Sequence, residues 1–253
     1  MHELIVLTAL WFFHRAFLLL TANFKEVITM TKEKITASRN KSNLAKLTIA
    51  AMLTAVAVVL QYIEVPIPML VPSFLKFDFS DLPELIGAFV IGPLWGVLIC
   101  LMKNLIHLPF GSSVGVGEFS NFLLGAVFVF TAGMIYKYNK TKKGALIACL
   151  IGSFAMAVIS IPSNYFVVYP VYAQLWAGGK MDIIISLYKA ILPASDNLIK
   201  CLLIFNVPFT LVKGLLVSGI TMMIYKPLSN LFVKLNNSLN KPKKKNEPVN
   251  ANE

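Results

Sequence analysis

At 253 residues, 57% hydrophobic and only 14% charged, with a mean hydropathy of +0.72, the chain is too apolar for a soluble domain. Its formal charge of +11 suggests nucleic acid, but the lysines cluster in short segments between or beyond apolar runs. That is the positive-inside pattern of a helical membrane protein, and no nucleic-acid partner is expected. Cys100, Cys149 and Cys201 all fall inside apolar runs without metal-ligand spacing, so they read as small core residues rather than disulfides or ligands.

Residues 1–29 hold an apolar run, Leu4 to Leu20, that is broken by His14 and Arg15 and lacks the basic start and cleavage site of a signal peptide. Lys25-Glu26-Val27 can be encoded as AAG GAG GTN, a strong bacterial ribosome-binding sequence about seven nucleotides before the Met30 codon. The segment is therefore expected to be a start-site artefact, with a disordered stretch or an extra helix as the alternatives. A basic cytoplasmic leader, 30–45, follows.

The first membrane helix is expected over Leu44–Tyr62. Its Ala51 and Ala55 make a small-xxx-small face, which on spacing alone serves packing within the chain. Residues 63–83 carry Pro66, Pro68, Pro72 and Pro83 and cannot form one helix. Phe74 to Ser80 alternate with period 2, as an extended segment does, so this stretch is either a lid over the helix ends or a set of interfacial Phe anchors. Two helices follow, Leu82–Ile91 and Leu94–Leu108, divided by Gly92-Pro93. Ser80 or Asp81 is expected to cap the first of them. Asp78 with Asp81 resembles a catalytic carboxylate pair, but capping explains both. Lys103 and Asn104 lie near the end of the second helix, where a lysine can snorkel.

A Gly/Ser turn, Gly111–Gly117, leads to a fourth helix over Glu118–Tyr138. The fifth, Ala145–Tyr172, is overlong and interrupted by Pro162 and Pro170. Within it Asn164 is either an interhelical hydrogen-bonding residue or a ligand contact. A mixed-charge loop, 173–197, is expected to hold a short amphipathic helix over Met181–Ile191. The sixth helix, Leu198–Tyr225, places Asn206, Thr210 and Lys213 at i, i+4 and i+7, one polar stripe. A lysine at the centre of a lipid-facing helix costs about 2.5–3.5 kcal/mol, so the stripe should face inward as the wall of a ligand pocket. Residues 236–253 read as a disordered basic tail.

The segments 30–46, 137–143 and 226–245 hold five, four and six basic residues, which puts both termini in the cytoplasm. The expected architecture is an all-α integral membrane protein: six transmembrane helices, with the Pro-rich loop covering an outward-facing pocket. No Walker A sequence, HExxH motif or serine elbow is present, so neither ATP hydrolysis nor other catalysis is expected. An inverted repeat is equally lacking, which argues against a stand-alone secondary carrier.

Three segments carry a likeness: FLKFDFSDLPELIGAFVIGPLWGVLICLMKNLIHL, GEFSNFLLG and NVPFTLVKGLLVSGITMMIYKPLS. Together they resemble the riboflavin-specific S components of energy-coupling factor (ECF) vitamin transporters, over about Lys46 to Leu235. The resemblance implies a six-helix protein of the bacterial cell membrane that captures riboflavin outside. It also implies a shared module, a membrane coupling protein and two ATPases, that supplies the energy. On that basis Ala51 and Ala55 would contact the coupling protein, and Lys213 and Asn164 the flavin ring. Thr210 stands where some relatives carry asparagine, and Asn206 could compensate from one turn earlier. An ammonium with amides suits the ring edge, which offers carbonyl acceptors and one N–H donor. Lys76 and Asp78 would serve the ribityl hydroxyls. Riboflavin would be cargo rather than a cofactor, and no basic cluster awaits a flavin phosphate. The competing readings are a secondary carrier of a small organic solute and an S component for another vitamin.

Overall fold

The computed structural model describes residues 39–67, 71–72, 75–111, 115–176 and 178–240, with side chains from 43 to 224 apart from those gaps and Trp176. The expectations for residues 1–29, for most of the leader and for the end of the tail lie outside the described residues. Two compact units divide the chain. One comprises residues 1–46 and 230–253, of which helical ends are described. The other, 47–229, holds the site.

In chain order the elements are α1 (Arg39–Tyr62), β1 (Val65–Pro66), β2 (Lys76–Phe77), α2 (Asp81–Val90) and α3 (Pro93–His107). Then come α4 (Val116–Tyr138), α5 (Lys142–Ser163), α6 (Tyr169–Trp176), α7 (Met181–Lys189), α8 (Leu198–Cys201) and α9 (Val207–Asn240). Thr141 caps α5 by accepting from the Gly144 N–H at 3.0 Å, and Asn197 caps α8 by accepting from the Lys200 N–H at 2.9 Å. The last helix continues to Asn240, beyond the end of the apolar run at Tyr225.

Among the described residues five stretches are long and apolar enough to cross a membrane: Asn43–Tyr62, Pro93–Phe110, Val116–Tyr138, Lys142–Leu175 and Leu198–Ile224. The sixth expected span, Leu82–Ile91, is a helix too short to cross by itself. Ten residues at ~1.5 Å each reach about half of a ~30 Å hydrocarbon core. It is largely apolar because it is enclosed: Asp81 to Phe89 are all buried. Outward-facing Phe154, Phe166 and Met223 supply the apolar surface that lipid requires.

Glycines let α2 sit this deep. A Cβ on Gly96 would lie 2.6 Å from the Ala88 Cβ and 3.0 Å from the Glu84 carbonyl oxygen, and one on Gly133 would lie 3.0 Å from Pro93. Rigid backbone cannot yield as a side-chain tip can, so helices approach here only through small residues. Gly96→Val is expected to lower stability by about 1–3 kcal/mol, the usual penalty of overpacking. A thermal unfolding shift of the purified protein reads it, and an unchanged midpoint would refute the wedge.

Two wide turns interrupt the long helices where proline removes a backbone donor. Between α5 and α6 the Tyr169 N–H donates to the Asn164 carbonyl, just before Pro170. Between α8 and α9 the Val207 N–H donates to the Leu202 carbonyl, just before Pro208. Both bonds span five residues, so each helix widens instead of breaking and Pro162 is accommodated within α5. The expected interruption at Pro162 is therefore absent. The expected extended segment forms a small hairpin: β1 pairs antiparallel with β2, Val65 opposite Phe77 and Pro66 opposite Lys76.

Candidate functional site

A cavity of about 320 Å³ lies within the 47–229 unit, at the lower end of the roughly 300–1,000 Å³ typical of small-molecule sites. All six residues singled out for ligand contact, Lys76, Asp78, Asn164, Asn206, Thr210 and Lys213, line it. The two wide turns explain part of this, since Asn164 opens one and Asn206 closes the other. Leu75, Leu124, Met156, Val168, Tyr172 and Phe209 give the cavity apolar and aromatic walls.

The stripe on α9 is buried, as a central lysine demands, with Lys213 only 8% exposed. Lys213 Nζ donates to Asp78 Oδ2 at 3.0 Å and Asn121 Oδ1 at 3.3 Å, and lies 3.1 Å from Asp81 Oδ2. Its three N–H groups thus already have partners, two of them carboxylates. Burial pushes the Asp78 carboxyl up, but the charges of Lys213 and Lys103 and the Ser80 hydroxyl outweigh it and hold the group at about 2. The other two members of the stripe diverge. Asn206 is engaged: its Nδ2 donates to the Tyr169 hydroxyl at 2.6 Å and its Oδ1 accepts from the Tyr188 hydroxyl at 2.8 Å. Thr210 and Asn164 form no side-chain hydrogen bond among the described residues, so their polar groups are available to the cavity.

Two expectations are overturned. Lys103 does not snorkel. It is fully buried, 2.6 Å from Glu84 Oε1 and 3.4 Å from Asp81 Oδ1, and it donates to Ser80 Oγ at 2.6 Å. A cation with carboxylates within reach has no reason to stretch toward the interface. Nor do Ser80 and Asp81 cap α2 through their side chains. Ser80 occupies the cap position without such a bond, and Asp81 spends its oxygens on the two lysines. Asp78 Oδ1 accepts from the Ser80 N–H at 2.8 Å.

Ala51 and Ala55 are exposed among the described residues, whereas Ala50 and Ala57 are buried. The three cysteines are free and buried, as expected.

Several lining residues were not singled out as contacts from the sequence. Gln61 donates to Asn104 Oδ1 at 3.3 Å, while its Oε1 is buried without a partner among the described residues. Glu118 meets His107 Nδ1 at 3.1 Å, and Glu64 pairs with Lys76. Tyr169 and Asn121 join the wall from α6 and α4. Each of these is a common residue type in an unremarkable context, and only folding brings them to one cavity.

The model of the family "ECF transporter, substrate-specific component" matches residues 45–225. The riboflavin transporter RibU of Staphylococcus aureus (strain TCH60) is 32% identical over 204 residues, covering 81% of this chain and 98% of that protein. The riboflavin transporter FmnP of Bacillus subtilis (strain 168) is 30% identical over 184 residues, covering 71% and 90% respectively. A solved S component of a bacterial ECF transporter superposes with a TM-score of 0.59 at 33% identity, covering 75% of this chain and 98% of that one. A polar-floored cavity within this helical unit suits a substrate-capturing subunit, and the chain belongs to the substrate-specific components of ECF transporters.

Proposed function

We propose that this S component binds riboflavin, with the cavity opening outward, and delivers it by way of a membrane coupling protein and two ATPase subunits. The observation that carries the ligand reading is the floor of the cavity. Lys213, Asn121, Asn164 and Thr210 set donors and acceptors side by side, with the Asp78 carboxylate among them. The pyrimidine edge of a flavin needs that combination, donors for its two carbonyls and an acceptor for its imide N–H. Tyr172, Phe209 and Leu124 suit the faces of the fused ring. Gln61, with its unpartnered Oε1, joins Lys76 as a contact for the ribityl hydroxyls. Riboflavin is cargo in this reading and takes no part in chemistry.

The first test is the absorption spectrum of the purified protein, which should show bound flavin, followed by fluorescence titration with riboflavin. Colourless protein that leaves flavin fluorescence unchanged would refute the ligand. Flavin uptake that persists without any ATPase partner would refute the coupled mechanism instead.

The exposed alanines on α1 are the proposed contact with the coupling protein. Ala51→Leu with Ala55→Leu should abolish uptake in cells that carry the full module, while riboflavin affinity of the isolated protein stays within about twofold, because neither residue lines the cavity. Normal uptake by that variant would remove the interface from α1.

A further inference from the structure

We infer that Lys103, which does not line the cavity, is a positioning residue: it fixes the two carboxylates that hold Lys213 against the ligand. The inference rests on reading the cavity as the flavin site.

Lys103 reaches both partners of Lys213. It lies 3.4 Å from Asp81 Oδ1, and the other oxygen of that carboxylate is 3.1 Å from Lys213. It donates to Ser80 Oγ at 2.6 Å, Ser80 Oγ donates in turn to Asp78 Oδ1, and Asp78 Oδ2 accepts from Lys213 at 3.0 Å. Each carboxylate therefore has one oxygen tied toward Lys103 and the other turned to Lys213. Glu84, 2.6 Å from Lys103 on the side away from the cavity, completes a lattice of three carboxylates and two ammoniums. The facing titratable groups are Asp78 ahead of α2, Asp81 and Glu84 on it, Lys103 and Cys100 on α3, and Lys213 on α9. From α4 come the Asn121 amide and the backbone of Gly125, where a Cβ would lie 2.9 Å from Cys100 Sγ and 3.2 Å from Glu84 Oε2.

The arrangement answers a difficulty in the site. A buried lysine left alone with two carboxylates would move to the electrostatic optimum between them, away from a neutral ligand. A second cation behind those carboxylates weakens their pull and holds their orientation, so that Lys213 can exchange a partner for a flavin carbonyl. Lys103 provides that charge from outside the ligand shell.

Two full-length variants test this by riboflavin titration in detergent from pH 8 to pH 4.5. Lys103→Met keeps the side-chain length and removes the charge. Ser80→Ala cuts only the bridge to Asp78, with little volume lost. The parent should keep its affinity better than either variant as pH falls, since Asp78 is held at about 2 and stays charged. Lys103→Met should bind at least tenfold more weakly at pH 7.5 and weaken further as pH falls, because Asp78 loses one of the two cations that hold its carboxyl down. Ser80→Ala should show the same trend at about threefold loss. Should Lys103→Met fail to fold, the pH trend of Ser80→Ala decides. Folded variants that bind riboflavin with the parent's affinity and the parent's pH profile would overturn the positioning role and leave the flavin site standing. A parent that binds no riboflavin would overturn both.

Discussion

Lys213→Ala is expected to lose riboflavin affinity by at least about a hundredfold, about 2.8 kcal/mol at 1.4 kcal/mol per tenfold. It should also unfold more readily. The lysine contacts Asp78 at 3.0 Å, Asp81 at 3.1 Å and Asn121 at 3.3 Å, all within the buried floor of the cavity. Removing one member of a buried ion pair leaves the other charge uncompensated, which costs about 3–5 kcal/mol. Lys103 remains as partial compensation, so the lower end of that range is expected. Lys76 provides the contrast: its pair with Glu64 is 26% and 28% exposed, and Lys76→Met should shift stability by less than about 1 kcal/mol. Titration and thermal unfolding of the two variants, side by side, read both effects. Equal behaviour would mean that Lys213 is not at the ligand and that its lattice is not stabilising.

The second large effect concerns riboflavin 5′-phosphate. Glu64, Asp78, Asp81 and Glu118 line the cavity against Lys76 and Lys213, a formal charge of −2 over those six side chains. Neither lysine is idle, since one is paired with Glu64 and the other with Asp78 and Asp81. A phosphate ester brings a charge of about −1.5 to −2 at neutral pH. Placing like charges side by side costs several kcal/mol, and the lysines at this lining are already engaged. The ester should therefore bind at least about a hundredfold more weakly than riboflavin. Glu64→Gln and Glu118→Gln, made singly, locate the repulsion: the one nearer the phosphate narrows the gap and leaves riboflavin affinity within a few-fold. Competition titration of parent and variants with the two ligands is the measurement, and an ester that competes as well as riboflavin would sink the idea.

Much of this was readable along the chain because a bilayer leaves few solutions. Apolar runs of spanning length must be helices, and a lysine with an amide and a hydroxyl on one helical face must turn inward. Those two constraints account for the five spans and for Lys213, Thr210 and Asn206 at one cavity, while the Lys76–Asp78 alternation marked the hairpin side of it. Hydropathy could not separate a helix facing lipid from one enclosed by other helices, since both are largely apolar. For that reason the ten-residue α2 looked like a sixth span.

Charge pairing was also invisible one-dimensionally. Lys103 lies 22 positions from Asp81, and Lys213 lies 135 from Asp78, so their encounter depends on how α2, α3 and α9 pack. Local rules assigned those carboxylates to helix capping and Lys103 to the interface, because capping and snorkelling are the best a side chain can do with near neighbours alone. Once α2 is enclosed, water is gone and each ion must find a counter-ion within a few ångströms. The chain by itself therefore determined the membrane class, the family and the inward lysine. Only the tertiary structure decided which carboxylates hold that lysine, which second cation stands behind them, and that the alanines of α1 face outward.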